Sequence, residues 1–78
     1  MRELVATNNL VTITFVEALL NDSEIDYIIL DQNMSVLEGS IGIIPRRIMV
    51  VDDAWNRASK LLEAAGLKNE ISTKKTDN

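Results

Sequence analysis

From Leu10 to Leu20 the chain carries one charge, Glu17, and meets no turn-forming residues until Asn21-Asp22-Ser23. A run of this kind leaves few options. Val11-Thr12-Ile13-Thr14-Phe15 alternates apolar residues with threonine, and β-branched side chains favour strands. The unbroken length argues the other way, because strands mostly span ~3–10 residues. On a helix, Leu10, Ile13, Val16 and Leu20 fall on one stripe, with Val11, Phe15 and Leu19 beside it. The spacing predicts a helix, and Asn8-Asn9 supplies its cap.

The flanking segments read as strands. Glu3 to Thr7 is short and apolar through Leu4-Val5-Ala6. Asp26 to Asp31 encloses Tyr27-Ile28-Ile29-Leu30, a continuous apolar run that fits a buried strand. Gln32 to Gly42 mixes Asn33, Ser35, Gly39, Ser40 and Gly42 with Met34, Val36, Leu37 and Ile41, and predicts a long loop. Pro45 cannot donate to a ladder, so the next strand starts after it. Ile48-Met49-Val50-Val51 is the clearest strand in the sequence. Asp52-Asp53 then offers a helix N-cap, and Ala54 to Ala65 follows at helical spacing, with Ala54, Ala58, Leu61, Leu62 and Ala65 facing inward. Gly66 stops that helix.

The order β-α-β-β-α predicts an α+β fold of the ferredoxin-like, split βαβ kind. The last strand inserts between the first two, antiparallel to both, and two helices cover one face of the sheet. Residues 1–66 are expected to form the single domain, and 67–78 a polar, partly disordered C-terminal tail. Within that tail, Glu70-Ile71-Ser72-Thr73 could supply a weak fourth strand beside the first. Otherwise the first strand is an open edge, and an open edge invites homo-oligomer formation, with a homodimer as the simplest case.

Composition narrows the chemistry. The 78 residues contain no cysteine and no histidine. Disulfides, thiolate chemistry, the usual neutral-pH general base and the commonest transition-metal ligand are therefore missing. An enzyme is not expected, and neither is a metal or cofactor. Eight basic residues against twelve acidic ones give a net charge of −4, which speaks against a nucleic-acid partner. No run approaches the ~18 apolar residues of a membrane span, so no membrane partner is expected and the expected location is cytoplasmic.

Among the charged residues, Arg46-Arg47 is the most notable pair. Adjacent strand residues point to opposite faces, so one guanidinium can meet an anion or acidic partner. The plainer alternative is a surface ion pair with Asp31 or Glu38, or arginine stems lying over the sheet. Met34, Val36, Leu37 and Ile41 either form a contact patch for a partner or cap the core. Asn33 suits a ligand contact or a left-handed turn. Asp31, Asp52 and Asp53 do not match a calcium loop, and Trp55 reads as a helix-packing residue.

Asp31-Gln32-Asn33 through Gly39, followed by Pro45-Arg46-Arg47-Ile48-Met49-Val50, resembles a family of small bacterial domains described as putative prokaryotic signal-transducing proteins. The likeness covers about residues 3 to 65. It includes the strand ending in Thr7-Asn8 and the late helix marked by Ala54, Ala58, Leu61 and Leu62. It implies a ferredoxin-like fold related in shape to the nitrogen regulatory P-II proteins, which bind nucleotides and partner proteins through a long loop. The chain is much shorter than those proteins and has no Gly-rich phosphate loop, so ATP binding and trimer formation do not carry over with the shape.

Together these readings lead to a small non-catalytic interaction or regulatory module that binds a protein partner through residues 32–47. Asn33, Met34, Leu37, Arg46 and Arg47 are the contact candidates. The alternative is a sensor domain binding a small anionic metabolite or nucleotide near Arg46 and Arg47.

Overall fold

A computed structural model describes residues 1–31 and 45–72. The elements run β1 (Arg2–Thr7), α1 (Leu10–Asp22), β2 (Tyr27–Leu30), β3 (Arg46–Val50) and α2 (Asp52–Ala64), followed by a single 3-10 turn, Lys68–Glu70. The sheet order is β1-β3-β2, with β3 antiparallel to both neighbours. The fold is α+β with the split βαβ arrangement, in the order expected.

Local chemistry explains both helix starts. Asn9 caps α1, its Oδ1 accepting from the backbone N–H of Val11 at 2.9 Å and of Thr12 at 3.3 Å. For α2 the structure corrects the reading of Asp52-Asp53 as the cap. Val51 is the N-cap residue and offers no side-chain bond, while the two acids occupy the first turn. Their charges still favour the positive end of the helix dipole.

Both helices end in the same way. After α1, the Glu24 N–H donates to Asn21 O and the Ile25 N–H to Leu20 O; after α2, Gly66 donates to Glu63 O and Leu67 to Leu62 O. These are paired Schellman closures, which need a left-handed residue just past the cap. Gly66 takes φ +85°, and at the matching place Glu24 takes φ +58°.

The core lies between one sheet face and the helices. Leu4, Val5, Ile48 and Val50 meet Ile13, Val16 and Leu20 of α1 and Ala58 and Leu62 of α2, and Ile25 and Ile71 close the ends. Leu4 and Val5 are adjacent yet both buried, because a register shift between Glu3 and Val5 breaks the alternation of β1. Ser59, not expected inside, is buried with its Oγ donating to Asn56 O at 3.0 Å.

The packed region extends past residue 66. Leu67 and Ile71 join the core, Ile71 bridges Val5 in antiparallel fashion, and the Ser72 N–H donates to Leu4 O at 2.8 Å. The Ser72 hydroxyl also bonds the Glu3 carboxylate. Among the described residues the weak fourth strand is thus one isolated bridge, at the middle of the β1 edge.

β2 departs from expectation. Its apolar run suggests a buried strand, but Ile28 is 46% exposed and the other three residues are half-buried. The strand lies at the sheet edge, and the helices cover only one of its faces.

Candidate functional site

Strand alternation sorts β3 into two faces. Ile48 and Val50 are buried under the helices, so Arg46 shares their side, while Arg47 and Met49 point to the opposite face. The register then places Glu3 and Ile28 beside Met49, and Ala6 and Leu30 beside Arg47. Arg46 and Arg47 therefore do not converge on one cationic patch. The Arg46 Nε donates to Asp31 Oδ2 at 3.1 Å, an ion pair spanning the end of the β2–β3 ladder, and its backbone N–H reaches Asn8 Oδ1 at 3.3 Å. The surface pairing with Asp31 weighed from the sequence is what forms. Asn33, Met34 and Leu37 lie outside the described residues, as does the rest of segment 32–44.

Trp55 packs as expected of a helix residue. Its indole N–H donates to Glu3 O at 2.9 Å, and the Arg2 guanidinium lies 3.7 Å over its ring. This clamp ties the start of α2 to β1.

The most distinctive surface is on α1, where the sequence pattern puts Leu10 on the inner stripe. The structure buries the rest of that stripe, Ile13, Val16 and Leu20, as the spacing predicts, but leaves Leu10 62% exposed, along with Val11 at 77% and Phe15 at 44%. These three, with Thr14 and Ala18, line a shallow apolar depression on the outer side of the helix. No charged side chain belongs to that set. Glu17, the one acid in the middle of the helix, turns toward β2 and accepts from the Tyr27 hydroxyl at 3.3 Å. A helix with apolar residues all round ordinarily has both sides covered, and here no described residue covers the outer side. The signal is present in the sequence as apolar residues on more than one stripe. Only the packing reveals which stripe stays outside.

Residues 1–66 match the model of a family described as "putative prokaryotic signal transducing protein". The chain belongs to that family. The matched span takes in every strand and helix of the sheet domain, including the outer face of α1 and the Arg46–Asp31 pair. A comparison with curated proteins gives no match. Among the described residues, no helix is long and apolar enough to cross a membrane.

Proposed function

We propose that the chain is a non-catalytic signal-transducing module that acts by protein–protein contact, in a cytoplasmic setting, and that the outer face of α1 is a contact surface. The exposure of Leu10, Val11 and Phe15 carries this reading. Apolar side chains grouped on one side of a helix gain free energy from leaving water, about 25 cal/mol per Å² buried. The absence of histidine and cysteine from the sequence supports a role without catalysis. The family description supports signalling as the setting.

Segment 32–47 remains part of the proposed contact region through its described end, where Arg47 stands on the sheet face opposite the helices. The anion-sensor alternative has weaker support. Arg46 already shares its charge with Asp31, and Arg47 stands on the other face, so an anion would meet one guanidinium at a time.

Photo-cross-linking in bacterial cells tests the contact surface. A photoreactive residue at position 11 should give protein adducts, whereas the same residue at position 60, on the exposed side of α2, should not. No adduct from position 11, or equal adducts from both, would remove the face from consideration.

A further inference from the structure

We infer that the outer face of α1 is covered by a second copy of the chain, in an antiparallel helix pair related by a two-fold axis passing between Thr14 and Phe15. This rests on the reading of α1 as a contact surface and goes beyond it by naming the occupant.

The first ground is shape. Side chains at positions 11, 14, 15 and 18 stand on the side of α1 opposite its buried stripe of Ile13, Val16 and Leu20. They alternate in bulk: Val11 and Phe15 are large, Thr14 and Ala18 small. A two-fold contact brings residue i to j and j to i. Pairing centred between positions 14 and 15 sets Val11 against Ala18 and Phe15 against Thr14. Each large side chain then meets a small one, twice over by symmetry, and the helices can approach closely. A parallel pair in register would set large against large.

The second ground is charge. α1 has no acidic residue in its first turn and no basic residue in its last, so its dipole is uncompensated at both ends. Asp22 closes the helix at the negative end, where a carboxylate is unfavourable. In the antiparallel pair, Asp22 of each copy lies level with the partner's position 7, just outside the N-terminal end of its α1, the end of a helix where an anion is favoured. The uncharged middle of the face also suits a contact between two chains that each carry −4. Like charges stay at the rim, where solvent and salt screen them.

The third ground is size, and it sets the strength. A patch built on three large side chains belongs to the ~300–600 Å² range of the largest patches on monomers. Two such patches fall below the ~1,200 Å² typical of stable interfaces. The dimer is therefore transient and its population rises with concentration.

Sedimentation of the purified full chain from about 10 μM to about 1 mM, a range matching a weak association, reads the result. The average mass should climb from monomer toward dimer, with concentration-dependent amide shifts confined to α1. Val11→Asp, at a site too exposed to disturb the core, should hold the mass at the monomer value with an unchanged far-UV spectrum. Val11→Ala should weaken the dimer, and the swap Val11→Ala with Ala18→Val should restore it, since the shortened side chain at position 11 of one copy then faces the enlarged one at position 18 of the other. A constant monomer mass at the highest concentration overturns the inference, as does a Val11→Asp protein that associates like the wild type or a swap that fails to restore. If purified protein stays monomeric while position 11 still cross-links to another protein in cells, the second copy is the wrong occupant and the contact surface stands.

Discussion

Replacing Glu24 with glycine should make the protein more stable, although it deletes a side chain and loosens the unfolded chain. Glu24 holds φ +58° because the closure of α1 requires a left-handed residue there. For an L-residue that conformation costs roughly 1–2 kcal/mol. Glycine removes the strain but gives the unfolded chain more freedom, worth about 0.4–1 kcal/mol in the opposite direction. The balance favours Glu24→Gly by about 0.5–1 kcal/mol. The side chain is exposed and has no hydrogen bond or ion pair among the described residues, so little else changes. For a domain of this size the gain corresponds to a rise in Tm of about 2–8 °C. Thermal melting by circular dichroism, together with the urea midpoint, measures it. The same motif at the end of α2 provides the mirror experiment: nothing lies within 4 Å of a Cβ built on Gly66, so any loss from Gly66→Ala is backbone strain alone. That variant should lose about 1 kcal/mol. If Glu24→Gly melts at or below the wild-type temperature while Gly66→Ala falls, the two closures are not equivalent and the strain assigned to Glu24 is absent.

Three further outcomes follow from the contacts. Asn9→Ala removes both cap bonds at the start of α1 and should cost about 1 kcal/mol in a urea titration. Trp55→Phe keeps an aromatic ring beneath Arg2 but strands the Glu3 carbonyl, so it should lose about 1–2 kcal/mol by the same assay, and Trp55→Ala more. A double-mutant cycle on Arg46→Ala and Asp31→Ala should return a coupling under about 1 kcal/mol that shrinks in high salt, because both side chains are more than a third exposed.

Where the chemistry is local, the sequence is a good guide. Asn9 announces a cap because a short polar side chain before an apolar run has few better uses, and Gly66 announces a stop because few other residues turn left without strain. The apolar run at Ile48–Val50 needs only its Pro45 and Asp52 borders. What stays hidden depends on neighbours that are distant in the chain. Tyr27–Leu30 has the composition of a buried strand, but burial of its far face needs a second layer that no nearby residue specifies. Periodicity picks the inner stripe of α1 at Ile13, Val16 and Leu20, but it carries the stripe one turn too far to Leu10, where no described element covers the helix start. Glu24 carries no mark of its left-handed backbone, since glutamate is rarely chosen for it. Ile71 lies in the segment that the sequence offers as a weak fourth strand and does bridge Val5 of the first, but its burial in the core depends on that distant partner and is not marked locally. Of the contact candidates, Arg46 and Arg47 stand on opposite faces as strand alternation requires, and the exposed set at Leu10, Val11 and Phe15 becomes visible only once the helix is packed.

The position of β3 affects how the chain acquires its structure during synthesis. β1 and β2 are not paired with each other; in the sheet each pairs with the strand that lies between them, and that strand, like Trp55 and Ile71 that also hold β1, is made after both. A nascent chain that has emerged only through residue 31 therefore owns two strands with nothing to join them and a helix whose inner side has no sheet to rest on. Native pairing must wait until residues 46–50 clear the ribosome. The domain then gains its sheet in one step, and chains interrupted earlier are natural substrates for proteases.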